Sequence, residues 1–249
     1  MGSVKVSVIT VSYKAANIIE KTIQSVISQD YPYIEYIIVD GGSTDGTVDI
    51  IKKYNDRINI WVSEPDKGIY DAMNKGVKMA TGDWIMFLNA GDFYHSHDVL
   101  TRFIREIDED TTVAYGLIHY FTHKKEFDME YIPLEQMAYL DPIPHPATMT
   151  RLSYHKAHLF DTSFRSSGDY DFFYRAFYDE CVKFQYIPII ITDYDNSEGI
   201  SKDNSDLIWK ENKRVWSRHA TFHLKMKMYG ERWIALVKRP IKRLFRKHV

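Results

Sequence analysis

The chain opens on KVSVITVSY (5–13), a run of β-branched residues interrupted only by small hydroxyl residues, which predicts a buried strand. Directly after it, NIIEKTIQSVISQ (17–29) places Ile18, Ile19, Thr22, Ile23, Val26 and Ile27 at helical spacing. The alternation continues through strand YIIVD (36–40), helix VDIIKKY (48–54), strand INIWVSE (58–64), helix GIYDAMNKGVKMA (68–80) and strand DWIMFL (83–88). Between them, GGSTDGT (41–47) is a turn whose Asp45 reads as a helix cap. Short β-α-β steps of this kind predict a mainly parallel mixed sheet flanked by helices, an α/β fold. Such sheets bind ligands beyond the carboxyl ends of their strands, where Asp40, Glu64, Asp66 and Asp92 fall.

Past residue 100 the pattern loosens into a helix at 98–107, a strand at 112–121 and a proline-rich loop, IPLEQMAYLDPIPHPAT (132–148). A strand TMTRLSY (148–154), a helix opening SSGDYDFFYRAFYDE (166–180) and a strand VKFQYIPIIIT (182–192) follow. A polar loop, DYDNSEGISKDNSD (193–206), then leads to a long helical end. No internal repeat and no long linker divides the chain. The organisation expected is one unit at 1–204, with halves at 1–100 and 101–204, and a helical, basic, amphipathic extension at 205–249.

With 249 residues, 45% hydrophobic and 27% charged, the chain has the composition of an ordinary soluble protein. Its 14% aromatic share, including 18 Tyr, suits a ring-stacking cleft as well as a core. The net charge of −2 conceals an asymmetry: residues 225–249 hold nine Lys/Arg and one acid, Glu231, which leaves a body of net −10. Such a body needs a local cation to bind an anionic ligand, and the basic tail suits an anionic surface; no nucleic-acid partner is expected. Cys181 is alone and cannot form an internal disulfide, and the N-terminus runs straight into a strand, so a cytoplasmic location is expected. The longest apolar run, YIPIIITDY (186–194), falls short of the roughly 18–20 residues of a membrane-spanning helix.

Several residues carry chemistry. Thr10, Ser12 and Tyr13 stand at the carboxyl end of the first strand, where hydroxyls can bind a nucleotide and a ring can pack on its base; capping of the next helix is the other reading of the two hydroxyls. Asp40 closes the second strand and can accept a hydrogen bond from a base imide or a ribose hydroxyl. No glycine-rich loop follows the first strand, which argues against a P-loop, a dinucleotide fingerprint or a sugar nucleotidylyltransferase. His145, between prolines in PIPHPATM, lies in a stiff loop that can present its imidazole to a ligand.

Taken in order, VSVITVSYKAANIIEKTIQSVISQ, VDGGSTDGT, DKGIYDAMNKGVKMATGDWIMFLNAGD and SGDYDFFYR resemble the inverting family 2 glycosyltransferases of GT-A fold, among them bacterial surface-polysaccharide enzymes, over roughly residues 4–200. The resemblance implies transfer of a sugar from a nucleoside-diphosphate sugar to a hydroxyl of a glycan or lipid-linked acceptor, with residues 1–100 as the nucleotide-sugar-binding half, residues 101–204 as the acceptor-binding half and His145 as a candidate contact to acceptor or diphosphate. It places Asp66, Lys67 and Asp71 along the nucleotide and sugar, and Asn89 and Asp92 at the family's Asp-x-Asp type motif, with Asp92 on a divalent cation, Mn2+ or Mg2+. It implies Asp169 as general base, with Asp171 its nearest rival and a helix cap the plain alternative. NSEGIS (196–201) is similar to a loop that closes over the site in relatives.

The chain departs from the family at three places: Gly41 follows Asp40 where many members have a second acid, Asn89 replaces the first acid of the metal motif, and Gly168 replaces the Glu before Asp169. A catalytically inactive sugar-nucleotide-binding or scaffolding relative is therefore the alternative to an enzyme. In the tail, Ile234, Val237, Ile241, Leu244 and Phe245 oppose Lys238, Arg239, Lys242, Arg243, Arg246 and Lys247, the make-up of an interfacial helix. Residues 231–249 are thus expected on an anionic membrane surface, with the protein peripheral on the inner face; packing on the body or a dimer contact are the alternatives.

Overall fold

The computed structural model describes residues 4–121, 126–138, 140–195 and 205–218. The predicted alternation forms as strands β1 (Val6–Ser12), β2 (Ile34–Asp40), β3 (Ile60–Ser63) and β4 (Trp84–Phe87). Helices α1 (Ile19–Ile27), α2 (Thr47–Lys53) and α3 (Ile69–Met79) connect them. The second half adds β5 (Phe93–Tyr94), α4 (Val99–Arg105), β6 (Val113–Phe121), β7 (Glu126–Asp128), β8 (Thr148–Arg151), α5 (Leu152–Ala157), α6 (Gly168–Phe177), β9 (Phe184–Asp195) and α7 (Ser205–Trp216).

One sheet runs in the order β3-β2-β1-β4-β8-β6-β9-β5, with β7 paired to β6. It is parallel from β3 to β4, turns antiparallel on either side of β8, and regains a parallel pair at β6 and β9. The second half is thus more mixed than the sequence pattern suggests. The chain moves outward from β1 to β3 and then returns to the other side of β1 to form β4. That reversal leaves a crevice at the carboxyl ends of β1 and β4, the place where open α/β sheets bind ligands.

Strand alternation builds two cores. Ile9, Val11, Ile37, Val39, Ile85 and Phe87 face α3, α6 and α7, while Val6, Val8, Tyr36, Ile38, Trp84 and Met86 face α1, α2 and α4. Complete burial of each such aliphatic side chain stabilises the fold by about 1.5–3 kcal/mol before entropy is counted. All the helices that reach the candidate acid Asp169 lie on the first face.

Three local differences from the predicted elements have physical causes. TMTRLSY is a strand only as far as Arg151, whose guanidinium lies 4.2 Å from the Trp84 ring and donates to Thr111 O; Leu152 N then bonds Asp83 O and the chain turns into α5. The proline-rich loop contains two 3-10 turns, Leu134–Ala138 and His145–Ala147, because proline suits the first turn of a helix. Phe93–Tyr94 forms a two-residue strand on β9, too short to show a period.

At the amino-terminal edge, Glu35 is buried and accepts hydrogen bonds from Lys5 Nζ at 2.7 Å, Ser7 Oγ at 2.6 Å, Thr81 N at 2.7 Å and Thr81 Oγ1 at 2.5 Å. Burial pushes its pKa up, but these donors outweigh burial and lower it from 4.5 to about 2. A carboxyl depressed in the folded state stabilises above its unfolded pKa, and that stability is lost as pH falls from 4.5 towards about 2. Glu35→Gln should therefore lose on the order of 2–3 kcal/mol at neutral pH. In thermal melts its deficit against wild type should shrink across that acid window; a deficit independent of pH would contradict the ionised network.

Candidate active site

Asp40 ends β2 with 0% exposure. Ser12 Oγ (3.0 Å) and Ser43 Oγ (2.6 Å) donate to its Oδ1, while Gly42 N (3.1 Å), Ser43 N (2.8 Å) and Ser63 Oγ (2.7 Å) donate to Oδ2. Burial pushes the carboxyl up, but the bonds from Ser43, Ser63 and Ser12 prevail and hold it below the usual carboxylate range. At the carboxyl end of β2, Asp40 holds the 41–43 turn through Gly42 and Ser43. Ser12 is spent on the same network. Thr10, also fully buried, donates to Leu88 O at 2.8 Å and pairs with Tyr36 Oη at 3.1 Å, so its hydroxyl ties β1 to β4 and β2 inside the sheet.

Tyr13 remains at the open edge, 61% exposed, with Lys14 Nζ 5.3 Å from its ring centroid. Its ring approaches Gly41, where a Cβ would lie 3.3 Å from Tyr13 Cδ2 and only 2.5 Å from Asp66 Oδ2. No side chain fits at position 41 while Asp66 stands there. The carboxylate of Asp66 thus fills the space of the missing second acid, held by Gly68 N on its Oδ1 at 2.9 Å. Lys67 is exposed, and Asp71 accepts the Lys67 backbone N–H at 3.0 Å, closing the first turn of α3 as a cap does.

Asp169 is half-buried at the head of α6. Tyr70 Oη donates to its Oδ1 at 2.9 Å and Tyr170 N donates to the same oxygen at 3.0 Å; among the described residues none donates to Oδ2. Gly168 is filled as Gly41 is, since a Cβ there would lie 2.8 Å from the Tyr70 ring. Asp171, by contrast, is fully buried between Arg175 Nε at 2.9 Å and Arg218 Nε at 2.7 Å. Asp141 opens to solvent near the PIPHP turn, yet the surrounding protein and the Asp169 charge push its pKa well up, towards the neutral form.

His145 is 8% exposed and lies among rings, 5.1 Å from Phe87, 5.8 Å from Phe160 and 6.2 Å from Phe173. Burial lowers its pKa against the opposing Asp169 charge, and its Nε2 has no hydrogen-bond partner among the described residues. The imidazole is therefore part of the aromatic layer under the site, with little surface to offer an acceptor or diphosphate.

At the end of β4, Asn89 O accepts the Asp92 N–H at 3.0 Å, and Gly91 turns the chain at φ 108°. The family model for glycosyl transferase family 2 matches residues 7–170 of this chain. The chain belongs to the family 2 glycosyltransferases. This transferase is 29% identical over 205 residues, 78% of its length and 78% of the relative's, to a PGL/p-HBAD biosynthesis glycosyltransferase of Mycobacterium bovis (strain BCG / Pasteur 1173P2). Over 90 residues it is 44% identical to the putative teichuronic acid biosynthesis glycosyltransferase TuaG of Bacillus subtilis (strain 168), covering 35% of its own length and 36% of TuaG.

Among solved structures, S. aureus TarS 1-349 in complex with UDP-GlcNAc matches with a TM-score of 0.67 at 20% identity, over 81% of the transferase and 61% of TarS 1-349. The mannosyltransferase PcManGT of Pyrobaculum calidifontis, in complex with GDP-Man and Mn2+, matches with a TM-score of 0.63 at 18% identity, over 84% of the transferase and 61% of its chain. The transferase therefore spans 61% of the length of each of these solved chains. The fold is GT-A, as the sequence resemblance implies.

The transferase has residues that suit a divalent cation. Asp92 is buried at 7% exposure, and the buried Asn89 Oδ1 has no hydrogen-bond partner among the described residues, an acceptor oxygen waiting for a donor or a cation. Among those residues no group of three His, Cys, Asp or Glu gathers at metal-binding range. Oxygen ligands this few suit a hard cation completed by phosphates and waters.

Sequence reasoning missed Tyr70, Asp141 and the C-terminal clamp of the transferase. Glu211 on α7 accepts Arg165 N at 2.8 Å and Ser166 N and Ser167 N at 2.9 Å, immediately before α6. Trp216 Nε1 donates to Tyr170 Oη at 2.8 Å, and Arg214 Nη2 reaches Asp161 Oδ2 at 2.7 Å. These partners lie about 45 to 100 residues apart, so no local spacing signals them.

Proposed function

We propose that this transferase moves one sugar, with inversion, from a nucleoside-diphosphate sugar to a hydroxyl of a glycan or lipid-linked acceptor. The observation that carries the reading is the sorting of the acids around α6. Asp171 is consumed by two arginines and Asp141 is pushed towards its neutral form, whereas Asp169 is half-exposed with Oδ2 not engaged by any described donor. Asp169 Oδ2 takes the acceptor proton as the acceptor oxygen attacks the sugar carbon.

Tyr13 offers its ring to the base, Asp66 and Lys67 line the nucleotide and diphosphate, and Asp71, Asp40, Ser12 and Thr10 support them from below. Asp92 and Asn89 would hold Mn2+ or Mg2+. That cation supplies charge stabilisation for the departing diphosphate. The names of the relatives in PGL/p-HBAD and teichuronic acid biosynthesis support a glycan or lipid-linked acceptor. Residues 231–249, outside the described residues, have the composition of an interfacial helix and support attachment to an anionic leaflet. No helix among the described residues is long and apolar enough to cross a membrane.

Gly41 and Gly168 invite the alternative of an inactive relative. Both vacancies are filled by side chains of the 66–70 segment, which favours a rearranged working site over a decayed one.

A thermal-shift panel of nucleotides and nucleotide sugars tests the donor site. At 100 times Kd a ligand of the native state adds about 2.7 kcal/mol, and one nucleoside diphosphate and its sugar should raise Tm by several degrees with Mn2+ present. No shift with any nucleotide or sugar nucleotide would sink the reading.

A further inference from the structure

Tyr70 lies 99 positions from Asp169 in sequence, yet its hydroxyl donates to Oδ1 at 2.9 Å. The side chain is 4% exposed, and its ring is held from one side by Phe160 at 5.5 Å and from the other by the bare α-carbon of Gly168. Burial first, and then the Asp169 charge, push the phenol pKa far up, so the hydroxyl keeps its proton and acts only as a donor towards the carboxylate. Two donors on Oδ1 orient the carboxylate and leave Oδ2 without a donor among the described residues.

We propose that Tyr70 is the positioning residue of the catalytic base, its hydroxyl fixing Asp169 Oδ1 and its ring occupying the space that a side chain at position 168 would take. The inference rests on the assignment of Asp169 as base. It makes Gly168 a requirement: any Cβ there would meet Tyr70 Cε2 and Cζ at 2.8 Å and displace the ring that carries the hydroxyl. It also gives α3 a second duty, because the segment that lines the donor site with Asp66 and Lys67 orients the base with Tyr70. Donor and base are thus set from one short stretch.

The test compares wild type with Tyr70→Phe, Gly168→Ala and Asp169→Asn in steady-state kinetics over pH, on the full chain with Mn2+ and a donor identified by thermal shift. Tyr70→Phe keeps the ring and removes the donor. Its kcat should fall between about 10-fold and 100-fold while donor KM stays within about twofold, since the loss is one of orientation at the reacting centre. The acid limb of its kcat profile should move to higher pH, because the ionised carboxylate loses a hydrogen bond; a fault in packing alone would lower kcat without moving that limb. Gly168→Ala should also lower kcat, by displacing the ring.

Wild-type kcat and an unmoved limb in Tyr70→Phe, with Asp169→Asn inactive, would overturn the positioning role and leave the base in place. Near-normal turnover in Asp169→Asn would instead overturn the base assignment itself. If Tyr70→Phe does not fold, Gly168→Ala decides: wild-type kcat there overturns the proposal.

Discussion

Asp169→Asn should bind the donor as wild type does and lose about 100- to 10,000-fold in kcat, the range expected when a positioned general base is removed. The substitution keeps the shape of the side chain and an acceptor oxygen for Tyr70 Oη and Tyr170 N, both of which bond Oδ1. The α6 helix is anchored elsewhere, by Glu211 on three backbone amides and by Arg175 and Arg218 on Asp171, so the fold should survive. What disappears is the oxygen able to accept a proton. Donor affinity by calorimetry should be unchanged; transfer within tenfold of wild type, well short of the roughly 100-fold loss a base requires, would move the base to another residue.

Asp92→Ala should abolish the gain in nucleotide affinity on adding Mn2+ and reduce turnover by about 100- to 1,000-fold, the loss typical of one preorganised electrostatic group. Asp92 is the buried acid of the Asn89–Asp92 turn, and Asn89 supplies an acceptor oxygen without charge. With a single carboxylate at this turn, cation binding should depend strongly on the diphosphate. Titrations of the nucleotide with and without Mn2+ read this directly: wild type should bind more tightly with the cation, and the variant equally in both conditions. A variant that keeps the full Mn2+ effect would remove Asp92 from the cation site.

The first half of the fold was legible because each element carries its own period. The VSVITVS strand and the IEKTIQSVI helix lie within a residue or two of where their patterns predict them. The second half was less legible because tertiary contacts set its elements. Leu152 turns into a helix where hydrophobicity alone suggests more strand, and β5 is two residues long.

At the site, residue type and position at strand ends pointed to the carboxyl edge of the sheet but not to each side chain's partners. Asp40 and Thr10 look like ligand contacts in sequence, and only the packing shows five donors on the one and two strands joined by the other. Gly41 and Gly168 look like losses until Asp66 and Tyr70 are seen filling their places. Tyr70 itself reads as an ordinary core aromatic of an amphipathic helix, and its hydroxyl gains meaning only from a partner 99 positions away.

If Asp169 on α6 takes the acceptor proton while the acceptor oxygen attacks the sugar carbon opposite the departing diphosphate, the configuration of the product reports it most directly. Once the panel has identified a donor, transfer to a simple acceptor followed by proton NMR of the new glycosidic linkage gives its anomeric form. Inversion relative to the donor sugar is the predicted result. A product that retains the donor configuration would contradict the single-displacement reading and the role given to Asp169.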